Sequence, residues 1–161
     1  MGIKNRRLIF WLVITTGLLV GLVQFVGRGG HNREATLVIN ELMAANQSSL
    51  TDEDGDPSDW IELYNPGPSP INLSGWALSD DPDQPQKWTF PNVTLGSHEY
   101  LLLFASGKNR KQGRPLHTNF KLRREGEFVG LYNILDQRWV APKIPAQFQD
   151  VSYGRYGPRQ T

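Results

Sequence analysis

The sequence predicts an all-β sandwich carried behind one N-terminal transmembrane helix. Three observations support this. An uncharged run of 19 residues sits near the amino terminus, and no window beyond it repeats apolar residues at helical spacing. Eight short β-rich runs follow instead, divided by clusters of Pro, Gly, Asn and Asp. Cysteine is absent, so an exported domain of about 125 residues must rest on its own core, and thiol or redox chemistry is excluded.

The uncharged run is LIFWLVITTGLLVGLVQFV, residues 8–26. As a helix it spans roughly 28 Å, close to the hydrocarbon thickness of a bilayer. It is longer than the apolar part of a secretory signal and exits without a small-residue cleavage pattern. The expectation is an uncleaved signal anchor in the cell membrane, with secretion after cleavage as the alternative. Residues 1–7 carry Lys4, Arg6 and Arg7, while Arg28 and Arg33 beyond the run are diluted by Glu34. The excess of positive charge keeps the amino terminus cytoplasmic and the carboxy-terminal domain extracytoplasmic. Residues 27–34 (GRGGHNRE) read as a linker and residues 35–161 as the domain.

Within the domain the runs are TLVINEL, WIELYN, PINLSGWAL, KWTF, EYLLLFA, EFVGLYN, RWVAP and DVSYGR. In WIELY, Ile61 and Leu63 share one face and Trp60, Glu62 and Tyr64 the other, which suits a strand with one face buried. YLLLF is continuously apolar, as in a central strand covered on both sides. NPGPSP, residues 65–70, is a rigid turn.

Residues 35–161 hold 12 basic and 15 acidic side chains, a net of −3. The charge is divided: residues 35–99 carry 11 acids and one base, residues 100–161 carry 11 bases and four acids. Either the two halves meet across neighbouring strands or a basic face stands on an acidic body.

The run INELMAANQSSLTDEDGDPSDWIELYNPGPSPINLSGWALSDDPDQPQKWTFP, followed by ASGKNR, LHTNFKLRREGEFVGLYN and DVSYGR, resembles the lamin-tail domain of bacterial surface proteins. The resemblance covers about residues 37–156. It implies an immunoglobulin-like β-sandwich acting as a non-catalytic binding or scaffold module, and it supplies no catalytic residues. Nuclear lamins place this domain behind a coiled coil; no heptads exist here, so a filament role does not carry over. Bacterial relatives continue beyond SYGR into another strand and further domains, whereas this chain stops at GRYGPRQT. Two expectations follow: an open sheet edge that accepts a partner's strand, or an accessory piece of a larger surface enzyme.

Five carboxylates crowd TDEDGDPSD, residues 51–59. An EF-hand does not fit, because Pro57 stands where Gly is needed and Leu63 where the last Glu is needed. A turn centred on Gly55 still suits calcium, with Asp52, Asp54, Asp56 and Asp59 as ligands of a calcium-dependent adhesion module. The plainer reading is a solvated turn whose aspartates bond their own backbone amides while Gly55 supplies a positive φ. Ser79–Asp83 reads as a second acidic turn.

The basic segment, residues 107–124, holds Lys108, Arg110, Lys111, Arg114, Lys121, Arg123 and Arg124. It lacks the glycine spacing of a phosphate loop. On an exported, net acidic domain, an anionic cell-envelope polymer or lipid headgroup suits it better than nucleic acid; a solvated loop is the plainer reading. His31, His98 and His117 show no metal-ligand spacing, and no nucleophile elbow is present. Trp60, Tyr64 and Trp76 could offer a sugar-stacking platform, although Trp76 suits the core. Sequons occur at Asn46, Asn72 and Asn92.

Overall fold

The computed structural model describes residues 37–142 and 144–155; the span at 8–26 and the linker lie outside them. Among the described residues no helix is long and apolar enough to cross a membrane. The strands in chain order are β1 (Val38–Met43), β2 (Trp60–Tyr64), β3 (Ile71–Asn72), β4 (Trp76–Ser79), β5 (Trp88–Thr89), β6 (Thr94–Leu95), β7 (Tyr100–Phe104), β8 (Leu116–His117), β9 (Gly130–Asn133), β10 (Arg138–Val140) and β11 (Tyr153–Gly154). They form a five-stranded sheet ordered β11-β1-β2-β7-β8, a four-stranded sheet ordered β10-β9-β4-β5, and the ribbon β3-β6. Each of the eight predicted runs contains a strand. PINLSGWAL divides into two strands around a 3-10 turn capped by the Asn72 side chain. The short strands β6 and β8 have no counterpart among the eight runs, and β8 lies inside the basic segment.

Both large sheets contribute to one buried cluster. Ile61 and Leu63 of β2, paired with Leu103 and Leu101 of β7, form its floor. Trp76 and Leu78 of β4, Trp88 of β5 and Leu131 of β9 cover it from the other sheet. In β1 the register slips between Ile39 and Glu41. That bulge lets Ile39 and Leu42, an odd number of residues apart, both face the core.

The second face of the five-stranded sheet carries three cross-strand rows. Met43, Trp60, Phe104 and His117 are aligned across β1, β2, β7 and β8. Glu41, Glu62 and Leu102 form the next row, and Val38, Tyr64 and Tyr100 the last. The first row is buried, with Trp60 at 9% exposure, so Trp60 joins a small apolar cluster with Met43 and Phe104 rather than a sugar platform. Trp76 is in the core. Expected to be covered on both sides, β7 is so only at its far end: Phe104 is buried and Tyr100 is 55% exposed.

Asn65 closes the NPGPSP turn from inside and is fully buried. Its amide donates to Ser69 O at 2.8 Å and Gly96 O at 2.8 Å, and its Oδ1 accepts Gly67 N at 2.9 Å. Removing the amide strands several buried backbone groups at once. Asn65→Ala should therefore destabilise the protein by roughly 2–4 kcal/mol. Urea unfolding with an unchanged slope would check this, and a loss below about 0.5 kcal/mol would place Asn65 among ordinary surface positions.

Candidate functional site

The acidic loop folds over the buried row of the outer face, and Asn46 shapes its first half. Asn46 is buried; its amide donates to Leu50 O at 2.6 Å and Ser58 O at 2.7 Å, and its Oδ1 accepts Ser49 N at 3.1 Å. A glycan on this amide is incompatible with those bonds. From the far end of the chain, Asp150 accepts Gln47 N at 2.7 Å and Ser48 N at 2.9 Å, which hold its carboxyl down at about 2.

Asp52 shapes the second half. Its Oδ1 accepts the amides of Asp54 and Asp56 at 3.0 and 3.1 Å, and Gly55 takes a φ of +83°. Here the turn chemistry follows the plainer reading, yet the Asp52 side chain is fully buried rather than solvated. Asp52, Asp54 and Asp56 bring carboxylate oxygens within 4.8 Å of one another. Asp59 stands apart: its Oδ1 accepts Asn46 N at 3.0 Å, and burial pushes its carboxyl up.

The acidic and basic segments meet here. Lys108 Nζ lies 2.6 Å from Asp52, 2.6 Å from Asp54 and 2.8 Å from Asp56, so three carboxylates surround the three protons of one ammonium. Arg110 spans Glu53 and Asp54, with Nη2 2.6 Å from Asp54 Oδ2. Burial pushes the Asp52 carboxyl up, but Lys108, Ser58 and the backbone amides outweigh it and hold it at about 2. Arg110, then Lys108, lowers Asp54, and the same contacts raise both cations. Lys108 is aimed by its neighbours: Gly107 takes a φ of +78°, and Ser106 Oγ accepts Lys108 N at 3.2 Å.

His117 ends the buried row and is wholly enclosed. Its Nδ1 lies 2.8 Å from Ser106 Oγ and its Nε2 2.9 Å from Glu53 Oε2. A carboxylate only accepts, so Nε2 carries a proton, and in the neutral ring Nδ1 accepts the Ser106 hydroxyl. Ser106, His117 and Glu53 have the composition of a nucleophilic triad. Ser106, however, is 8% exposed and its Oγ already accepts Lys108 N. Two depressions among the described residues, of about 400 and 270 Å³, border Asn109–Gln112 and the β1–β10 edge, and neither reaches Ser106 or His117. No sequence motif marks this trio, whose members are scattered at 53, 106 and 117.

The other basic candidates take no part in the clamp. Lys111 Nζ donates to Thr89 Oγ1 at 3.0 Å and lies 5.4 Å from the Trp88 ring centre. Arg114, Lys121 and Arg124 are exposed, and Arg123 lies 3.7 Å from Glu127 with its side chain 77% exposed. Of the seven basic residues, Lys108 and Arg110 are therefore the two that the acidic loop engages.

The family model of the Lamin Tail Domain matches residues 31–141. No curated protein matches the chain.

The depressed carboxyls set the acid limit of the loop. Asp52 and Asp150 titrate lower folded than unfolded, so their stabilisation is complete above pH about 4 and fades as pH falls towards 2. Urea unfolding across this range should show a steep acid limb that Asp52→Asn flattens while lowering stability at neutral pH. An unchanged limb in that variant would remove Asp52 from the account.

Proposed function

The chain belongs to the lamin tail domain family, an immunoglobulin-like module, and from that premise we propose a rigid, non-catalytic binding or scaffold domain. We place it outside the cell, anchored by residues 8–26. The observation that supports a structural rather than catalytic role is the closure of the acidic loop on Lys108 and Arg110. Asp52, Glu53, Asp54, Asp56, Lys108 and Arg110 are engaged in holding a loop over the outer face. Exposed strand residues are left to make contacts.

We further infer that the cation of this loop is the Lys108 ammonium and that calcium is not needed. Three carboxylates that would repel one another are bridged from within the chain by one ammonium. Calcium binding at Asp52, Asp54 and Asp56 would have to expel that ammonium first. For an anionic polymer, Arg114, Lys121, Arg123 and Arg124 remain exposed, which makes a weak, salt-sensitive contact the most they would give.

Thermal melting of the full chain separates these readings. The wild type should melt at the same temperature in EDTA and in millimolar calcium. Lys108→Met should melt lower in EDTA and regain several degrees in calcium, because the emptied carboxylates then bind a ligand only in the folded state. A calcium-dependent rise in the wild type would restore the calcium-dependent adhesion reading. Topology has its own test: protease added to intact cells should digest residues 35–161, and protection would overturn the extracytoplasmic placement.

A further inference from the structure

The outer face of the five-stranded sheet is divided. One end lies under the acidic loop, and the other carries Glu41, Glu62, Tyr64 and Tyr100. Glu41 and Glu62 are direct cross-strand partners. Like charges in this position repel, and such pairs are normally offset by a cation. Among the described residues neither carboxylate is within salt-bridge distance of a Lys or Arg. Each has one neutral donor instead: Asn40 Nδ2 to Glu62 at 2.7 Å, and the Ser152 hydroxyl to Glu41. Glu41 also keeps its place across from Gly154, where an added Cβ would meet Glu41 Cγ at 2.9 Å.

One step further along the strands, the Tyr64 and Tyr100 rings stack with centres 4.4 Å apart and planes inclined by 23°. The Tyr64 hydroxyl lies 3.4 Å from His98 Nδ1, and Tyr100 is 55% exposed. Two residues along a strand is roughly 7 Å, so the aromatic pair and the carboxylate pair form adjacent patches on one face.

We propose that this face binds an extended, arginine-bearing segment of a partner protein. A guanidinium is planar, stacks on an aromatic ring and forks onto a carboxylate, which are the two chemistries presented side by side here. An extended segment with arginines two residues apart matches the spacing of the two patches. The charge complementarity selects a cation over a neutral sugar, which would need the rings but not the opposed carboxylates. The site gives the binding-module reading a ligand, and its failure would leave the calcium-independent loop untouched.

The test is a titration of the isotopically labelled full chain with the peptide acetyl-TRTRT-amide, followed by amide NMR. Shifts should centre on β1, β2 and the start of β7. Affinity should fall at least tenfold in Glu41→Gln/Glu62→Gln and in Tyr100→Ala, and stay unchanged in Asp81→Asn/Asp83→Asn, a control acidic turn. The Gln pair should also melt higher than wild type, because it removes the repulsion, and that readout needs no ligand. No shifts at millimolar peptide, or shifts centred on the acidic loop, would overturn the proposal. So would a lower melting temperature of the Gln pair, which would make the carboxylates structural. Equal shifts from neutral cellohexaose that survive the Gln pair would identify a sugar platform instead and equally overturn it.

Discussion

A β-sheet with apolar residues on both faces needs a cover on its second face, and here the cover is a loop of aspartates. Met43, Trp60, Phe104 and His117 run across the outer face and are all buried. The chain that shields them carries Asp52, Glu53, Asp54 and Asp56 in five positions. Left alone, those carboxylates repel one another and drive the loop into solvent. The Lys108 ammonium among three of them reverses that, and Arg110 and His117 fasten the fourth. A solvent-exposed ion pair contributes little. This one differs because the Asp52 side chain is fully buried and each proton of the ammonium has its own acceptor.

The divided charge of the domain has its explanation in the same contact. Acids before residue 100 and bases after it leave two readings, halves that meet across strands or a basic face on an acidic body. The halves meet, but through loops at the end of the sheet, with Lys108 and Asp52 separated by 56 residues. Strand alternation in WIELY and the turn residues between runs made the sandwich readable from local pattern alone, since period and turn chemistry are properties of short windows. The charge clamp is a property of tertiary register and left no such trace. The acidic loop and the basic segment each carry a reading of their own in the sequence, and their contact through Lys108 and Arg110 has no local signature there.

Buried polar side chains explain what else stayed hidden. Asn46, Asn65 and His117 sit in segments whose composition marks them as turn or basic loop, yet all three are enclosed. Their burial follows from backbone groups that need partners in irregular chain: Asn65 serves the NPGPSP turn, Asn46 the start of the acidic loop. His117 is placed by β8, a two-residue strand parallel to β7, too short to show alternation. In the sequence a side chain that satisfies a loop from within is indistinguishable from one that points into water.

The two ends of the outer face contrast in how they treat charge. At the covered end every carboxylate of the clamp has a cation, and the apolar row beneath it is out of contact with solvent. At the bare end two carboxylates oppose each other, with neutral donors only among the described residues, and a stacked tyrosine pair stays half open. The same strands, β1, β2 and β7, run through both ends, so backbone geometry does not account for the difference. A fold that supplies Lys108 and Arg110 from a loop at one end of the sheet gives Glu41 and Glu62 no cation among the described residues at the other. Uncompensated like charges on a rigid sheet lower stability, and proteins carry such local conflicts where a surface meets something other than water. The strand pairing that makes the sheet stiff therefore also holds these carboxylates and rings in fixed register.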